Sequence, residues 1–268
     1  MSFFLCLSVL AGFVTAASTA SGSRAPHRHH PGRVFWRGNY ETGDFSQWWL
    51  RQWSGQGGDS TPAQVGLSAA TIVRHPVAQG RYAAKFQDFP DTTGANDRAE
   101  IVASQRESGG YPGQQWYYGW HTYFPGPEQK WWSQGGDWNA ITQFQSTDNS
   151  GGWIGFGVDA TTAHGAHPPY IFMDAPTGHY TLARLRYDHW YHFVLRVRWS
   201  PDPSTGFFQL WVSGAKKTRL THTATLKPTA APGMYLSQGM YRDRFDFTNT
   251  VIQDGMCRAS SYAAAARC

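Results

Sequence analysis

Residues 191–199 decide the fold class of this chain, and they read Tyr-His-Phe-Val-Leu-Arg-Val-Arg-Trp. Alternate positions along this stretch are apolar, which is the two-residue period of a β-strand. A turn rich in Pro, Ser, Asp and Gly follows at residues 200–206, and a second apolar stretch follows at Phe207–Val212. The order predicts a β-hairpin. Its packed face is expected to consist of Tyr191, Phe193, Leu195, Val197 and Trp199.

Similar short stretches bounded by turn residues recur along the chain, at residues 80–86, 116–124, 140–146 and 152–159. Aromatic residues make up 16% of the 268 residues, charged residues only 15%, and there are 29 Gly and 15 Pro. This composition favours many short strands and turns over long helices. We therefore expect an all-β protein with few or no helices, in which residues 34–268 form a single domain.

The N-terminus resembles an export signal. Residues 3–16 form an apolar run, and Val14 and Ala16 are the small residues that a signal peptidase requires, although no Lys or Arg precedes the run. The run is shorter than a membrane-spanning helix. Residues 1–17 are thus predicted to be a signal peptide of a secreted, extracellular protein. Residues 18–33 are basic and rich in Pro and His, and we expect them to form a flexible linker.

The three cysteines support the same compartment. Cys6 would leave with the signal peptide, so that the mature chain keeps Cys257 and Cys268. An even pair in an exported protein predicts a disulfide, which would close a loop of about a dozen residues near the C-terminus. Free thiols are the alternative.

The net charge of the chain is compatible with a polyanionic partner. The chain has 23 Lys and Arg against 18 Asp and Glu, a formal net charge of +5 and a pI of about 9.2. A polyanion such as an acidic polysaccharide or a nucleic acid suits this charge, and an ordinary basic surface explains it equally well. No P-loop, Gly-x-Ser-x-Gly elbow or His-Glu-x-x-His motif is present in the sequence.

Three strand-like segments combine polar residues with strand periodicity. They are residues 97–100, 141–145 and 235–242. The two-residue period places Arg98 with Glu100, Gln143 with Gln145, and Tyr235 with Tyr241 on common faces. A sheet with a guanidinium, amides and phenols on one face and an apolar opposite face is typical of a binding groove.

These segments, together with residues 41–48, 119–125 and 206–214, resemble secreted polysaccharide lyases of the heparin lyase I and glucuronan lyase type. The resemblance covers residues 34–262. It implies a β-jelly-roll sandwich of two antiparallel, concanavalin-like sheets, with a concave face that cleaves an anionic polysaccharide by β-elimination. It further implies a monomer that binds neither nucleic acid nor a membrane.

β-Elimination explains the residue types. The enzyme removes the C5 proton of a uronic acid, next to a carboxylate that already bears negative charge. Arg98 and the amide of Gln143 are expected to neutralise that carboxylate. Tyr241 is expected to take the C5 proton or to protonate the leaving oxygen. A cross-strand packing tyrosine and a surface ion pair of Arg98 with Glu100 are the alternatives.

Two positions depart from the pattern of the related alginate lyases. Gln145 stands where those enzymes have His, and it cannot exchange a proton near neutral pH. Ser237 stands where they have Lys. His121, on a neighbouring strand-like segment, is therefore a candidate to replace the missing imidazole, with an ordinary partly buried histidine as the alternative.

Further residues are candidates for substrate binding. Four of them lie on the three polar segments: Glu100, Gln145, Gln238 and Arg242. Three tryptophans belong to the Gly-rich stretch 130–139, which we expect to fold over the groove and to stack on sugar rings: Trp131, Trp132 and Trp138. For at least one of the tryptophans, core packing is the alternative.

The chemistry requires no cofactor. Glu41, Asp44 and Asp254 are candidate ligands of a structural Ca²⁺, because carboxylate oxygens suit that ion, although no EF-hand spacing is present. A site in the acidic stretch 88–97 and a solvated loop are the alternatives. For the protein as a whole, a non-catalytic carbohydrate-binding jelly roll is the main alternative to a lyase, and a lectin-like glycosidase is a third possibility.

Overall fold

The computed structural model describes residues 32–53, 68–90, 97–131, 138–148, 152–159, 169–229, 231–243 and 245–268. The predicted signal peptide, nearly all of the predicted linker and Trp132 lie outside these residues. The described residues belong to one compact unit, Pro31–Cys268. Among them, no helix has the length and apolar character needed to cross a membrane.

Within the described residues, one antiparallel sheet contains nine strands. Its main path runs in the order β13 (Ala215–Lys216), β12 (Phe207–Val212), β11 (His189–Arg198), β6 (Gln115–Phe124), β16 (Asn249–Ala259), β4 (Ala83–Asp88) and β3 (Ser68–Val73). In addition, β1 (Val34–Gly38) pairs with β16, and β14 (Thr221–His222) pairs with β12. The predicted hairpin is β11 and β12, with Leu195 opposite Leu210.

The second antiparallel sheet contains seven strands. Their order is β10 (Gly178–Arg184), β9 (Tyr170–Ala175), β8 (Gly152–Asp159), β7 (Asn139–Ser146), β15 (Met234–Arg242), β5 (Asp97–Ala103) and β2 (Leu50–Trp53). Strands far apart in the chain are neighbours in this sheet, because β15 lies between β7 and β5. This crossover brings the three polar segments of the sequence side by side.

The apolar core lies between the two sheets. Phe193, Leu195 and Val197 of β11 are fully buried there, as the alternation predicts, and they share one cluster with Phe144 and Phe156 of the other sheet. Burying such side chains contributes about 1.5–3 kcal/mol each, so this layer is the main source of stability. The prediction of an all-β sandwich of two antiparallel sheets is confirmed.

Helices are short, and the C-terminus is fastened by a disulfide. The described helices are α1 (Gln105–Ser108), which begins with a capping box formed by Ser104 and Glu107, and α2 (Tyr262–Ala265). The predicted bond between Cys257 and Cys268 is present, and it ties the chain end that follows α2 to β16. The prediction of this disulfide is confirmed.

Candidate functional site

The candidate site lies at the centre of the seven-stranded sheet, on the face that points away from the core. Strand β15 pairs with β5 on one side, where Tyr241 is opposite Arg98, and with β7 on the other, where Ser237 is opposite Gln143. Ile101 of β5, whose side chain alternates to the opposite face, belongs to the core. One outer surface, which we call the polar trough, is therefore shared by Arg98 and Glu100 of β5, Gln143 and Gln145 of β7, and Tyr235 and Tyr241 of β15.

A buried carboxylate connects the donors of the polar trough. The Nε2 of Gln143 donates a hydrogen bond of 2.7 Å to Oε1 of Glu100, and Nε of Arg98 lies 3.4 Å from Oε2 of the same carboxylate. Glu100 is 1% exposed, whereas the Arg98 side chain is 25% exposed. The carboxylate therefore lies beneath the guanidinium and the amide and fixes the orientation of both.

The guanidinium of Arg98 also contacts the phenol predicted to be catalytic. Its Cζ lies 3.7 Å from the centroid of the Tyr241 ring, and one terminal nitrogen donates to Oε1 of Gln52. On another side, Trp138 meets the Tyr241 ring edge-on at 4.7 Å between centroids. Arg98, Gln143 and Tyr241 are thus brought together, directly or through Glu100.

A second phenol and amide extend the polar trough along β15 and β7. The hydroxyl of Tyr235 donates a hydrogen bond of 2.5 Å to Oε1 of Gln145. With its carbonyl oxygen occupied, the side chain of Gln145 has its NH₂ group left to donate to a ligand.

Burial changes the ionisation of two groups in the polar trough. Desolvation raises the pKa of Glu100 to about 7, although the positive charge of Arg98 and the hydrogen bond from Gln143 oppose the rise. Desolvation, followed by the negative charge of Glu100, raises the pKa of Tyr235 to about 12. Tyr235 therefore keeps its proton at neutral pH and acts as a donor.

Gly239 makes the close packing of β15 against β5 possible. A Cβ at this position would lie 2.1 Å from the carbonyl oxygen of Ala99 and 2.9 Å from Cα of Glu100. Its φ of +124° is, in addition, a conformation that favours glycine. Only glycine therefore fits here, directly across from Glu100.

Two predicted substrate-binding residues point the other way, and their assignment is wrong. Gln238 is fully buried in the interior, where its Oε1 accepts a hydrogen bond of 2.8 Å from the hydroxyl of Tyr40. Arg242 is also fully buried, and its guanidinium pairs with Asp97 at 2.7 Å and with Asp88 at 3.5 Å. Both side chains are paired with polar groups inside the sandwich and cannot reach a substrate.

His121 does not replace the missing imidazole, and this prediction is also wrong. It lies on β6 of the nine-stranded sheet, where Trp120 on the alternate face is part of the core, so His121 points away from the polar trough. Its ring stacks on His192 at 4.3 Å. Burial lowers the pKa of His121 to about 3, with a further contribution from the neighbouring His192.

The predicted tryptophans separate into different roles. Trp131 is 2% exposed and packs edge-on against Phe124 in the core, with its indole nitrogen donating to the hydroxyl of Tyr187. Its assignment to substrate binding is therefore wrong, and core packing applies. Trp138 is 38% exposed and borders the polar trough beside Tyr241.

The predicted calcium site is not formed. Both carboxylate oxygens of Glu41 accept from the backbone N–H of Arg81, and Oδ2 of Asp254 accepts from two backbone N–H groups. Asp44 bonds to Ser46 at the surface. Among the described residues, these and the other acidic side chains form no group that could hold a metal ion. The ligand prediction at Glu41, Asp44 and Asp254 is wrong.

The residues at one end of the polar trough were not predicted from the sequence. Trp49, which is 63% exposed, lines a pocket of about 390 Å³ together with Val102 and Tyr235. Gln52 belongs to the same pocket and contacts Arg98. Leu50 and Gln52 are two residues apart in β2 and so share a face, but a strand of four residues is too short for this period to stand out.

Comparison with known proteins agrees with this architecture. The family model described as Polysaccharide lyase matches residues 40–256. The endo-β-1,4-glucuronan lyase from the fungus Trichoderma reesei has a similar structure, with a TM-score of 0.61 and 16% identity, over 87% of this chain and 98% of that chain. No protein with a curated description matches.

Two further solved structures share the fold. The catalytic domain of a glycoside hydrolase family 131 protein from Coprinopsis cinerea has a TM-score of 0.55 and 13% identity, over 86% of this chain and 96% of that one. The cellulose-induced protein Cip1 has a TM-score of 0.53 and 12% identity, over 83% and 96%. Because the family model spans most of the chain, the chain belongs to the polysaccharide lyase family and is an enzyme that acts on a polysaccharide.

Proposed function

We propose that the protein is a secreted lyase that cleaves a uronic-acid-containing polysaccharide by β-elimination in the polar trough. The observation that carries this proposal is the convergence of Arg98, Gln143 and Tyr241 around the buried carboxylate of Glu100. The solved glucuronan lyase with the same fold and the net charge of +5 support an anionic substrate.

The first requirement of the reaction is to neutralise the substrate carboxylate. The terminal nitrogens of Arg98 and the NH₂ groups of Gln143 and Gln145 are the donors of the polar trough. Donors that are already fixed in place stabilise the charge that develops in the transition state at no cost of reorganisation. Glu100 acts as a positioning residue, because it holds Arg98 and Gln143 in their orientations.

Tyr241 then moves the proton. As the phenolate, its oxygen takes the C5 proton, the C5–H electron pair forms the C4–C5 double bond, and the C4–O4 bond breaks with its electrons leaving on O4. The phenol hands the same proton to O4, so the phenolate is restored. The guanidinium of Arg98 lies 3.7 Å from the ring centroid, and its positive charge attracts the negative charge of the phenolate.

Secretion is part of the proposal. The apolar run at residues 3–16 and the disulfide between Cys257 and Cys268 both support an oxidising, extracellular location. A polymeric substrate that is too large to enter a cell is consistent with this location. Detection of the mature chain in culture medium, with an N-terminus near Ala17, would test this part.

The experiment that tests the reaction uses a matched pair of tyrosines. Arg196 lies 5.7 Å from the centroid of the Tyr117 ring on the nine-stranded sheet, so Tyr117 is a tyrosine with a neighbouring guanidinium away from the polar trough and serves as the control. Wild type, Tyr241→Phe and Tyr117→Phe are incubated with glucuronan, alginate and heparin, and the ultraviolet absorbance of the unsaturated uronate product is followed.

The proposal predicts that wild type and Tyr117→Phe produce this absorbance from at least one of the polymers. Tyr241→Phe is expected to lose about 10²–10⁴-fold in rate, the range of general acid–base catalysis. Full activity of Tyr241→Phe would refute the role of the phenol. Binding of the polymers without any absorbance change in wild type would favour the carbohydrate-binding module instead.

A further inference from the structure

The outer face of the seven-stranded sheet continues from the polar trough onto β8, β9 and β10. Gln143 is opposite Gly155, Gly155 is opposite Asp174, and Asp174 is opposite His179. Residues paired across neighbouring strands share a face, so these four form one row. With about 4.8 Å between strands, the Cα of His179 lies about 14 Å from that of Gln143.

Gly155 leaves the floor of this row open. Among the residues that the structure describes, no atom would lie within 4 Å of a Cβ at Gly155, so they leave the space above its backbone open. Gly157, the next residue on the same face, is covered instead, because a Cβ there would lie 2.7 Å from the ring of Phe172. The opening therefore lies at Gly155, between Gln143 and Asp174, and does not extend to Gly157.

A fixed cluster of polar side chains borders the opening. Nδ1 of His179 and Oδ1 of Asp174 are 2.8 Å apart, and the His179 ring stacks on Phe172 at 4.8 Å. Nε2 of His179 lies 3.4 Å from the hydroxyl of Tyr170, which donates to Oδ2 of Asp159 at 2.9 Å. Asp174 nevertheless keeps 60% of its side chain exposed. The cluster therefore presents an oriented carboxylate to solvent beside an open floor.

We propose that Gly155, Asp174 and His179 form a subsite for a neighbouring sugar residue of the substrate, and that this subsite selects unsulfated sugars. The inference rests on the proposed function, because it places the polymer across Gln143. An exposed carboxylate accepts hydrogen bonds from sugar hydroxyls. The negative charge of Asp174 repels a sulfate group at the same position, so a sugar that presents hydroxyls there is preferred.

The first experiment tests whether the opening at Gly155 binds a sugar. Gly155→Val is introduced into the Tyr241→Phe variant, which leaves the polymer uncleaved during a binding measurement. Valine suits a strand, and its side chain would fill the space above Gly155. We expect the affinity for glucuronan to fall by about tenfold, which is the lower end of the effect of one extra methylene in a binding pocket. His222→Ala, which removes an exposed histidine on β14 of the other sheet, serves as the control and should bind as the parent does. Unchanged affinity of the Gly155→Val variant would overturn the subsite.

The selection is tested with Asp174→Asn in the otherwise wild-type enzyme, on glucuronan and on the same polymer after chemical O-sulfation. The wild type should prefer the unsulfated polymer, and Asp174→Asn should reduce the ratio of the two kcat/KM values by about tenfold, mainly through KM. An unchanged ratio would overturn the selection. If no polymer yields unsaturated uronate, the proposed function fails, whereas the binding comparison at Gly155 still tests the subsite.

Discussion

Replacing Glu100 by Gln should stabilise the protein at alkaline pH while lowering its activity. Glu100 is 1% exposed, and burial raises its pKa from 4.5 to about 7. One pKa unit corresponds to about 1.4 kcal/mol, so the ionised carboxylate destabilises the folded state by about 3 kcal/mol. Glutamine keeps the shape of the side chain and removes the charge.

The sign of the effect follows from the direction of the pKa shift. Because the folded-state pKa is raised, the folded protein holds this proton more tightly than the unfolded chain does. The stabilisation from Glu100 is therefore complete below about pH 4.5 and is lost as the pH rises to about 7. Because the glutamine side chain does not titrate, the free energy of unfolding of the Glu100→Gln variant should rise relative to wild type by about 3 kcal/mol across this pH window. Above the window, the difference should stay constant.

The assay is urea unfolding of wild type and Glu100→Gln, with the disulfide intact, at several pH values between about 4.5 and 8. Two-state fits give the difference in the free energy of unfolding at each pH. In parallel, kcat/KM should fall, because Arg98 loses its buried partner. A difference in unfolding free energy that does not change with pH would refute the reasoning, since it would mean that Glu100 titrates like a solvated carboxylate.

Three further predictions concern other parts of the molecule. Burial raises the pKa of Asp254 to about 7, so Asp254→Asn should likewise gain stability relative to wild type between about pH 4 and 7, as measured by urea unfolding; a pH-independent difference would contradict this. Replacing Cys257 and Cys268 together by Ser should cost about 3 kcal/mol in the free energy of unfolding, and an unchanged urea midpoint would exclude a stabilising disulfide. Trp131→Ala should lower the free energy of unfolding by about 3–5 kcal/mol, because the side chain is buried. Trp138→Ala should leave the urea midpoint nearly unchanged and raise KM. Equal losses of stability in the two variants would contradict the assignment of Trp131 to the core and of Trp138 to the polar trough.

Strand periodicity and composition were enough to predict the all-β class and most residues of the polar trough, whereas the sandwich of two sheets was implied by the resemblance to polysaccharide lyases. Arg98 and Glu100, Gln143 and Gln145, and Tyr235 and Tyr241 were each assigned to a common face because alternate residues of a strand point the same way. This local rule sufficed for these six residues, because their three strands are neighbours in the sheet and all six side chains lie on its outer face.

The errors arose where long-range contacts decide the role of a residue. Gln238 and Arg242 occupy the alternate positions of β15, so they enter the interior, where Tyr40 satisfies the amide and Asp88 and Asp97 satisfy the guanidinium. The two-residue period already placed both residues on the face opposite Tyr241, but it could not show the partners that hold them there, which are distant in the sequence. His121 failed for a related reason, because the membership of a strand in one sheet or the other is not a local property.

The most direct test of the central claim compares glucuronan with the same polymer after reduction of its carboxylates to alcohols, both incubated with the wild-type enzyme. Elimination through Arg98, Gln143 and Tyr241 requires the carboxylate, so we predict oligosaccharides with an unsaturated uronate end from glucuronan and no cleavage of the neutral polymer. Cleavage of the reduced polymer, or saturated products from glucuronan, would contradict the account, because hydrolysis would then break the chain.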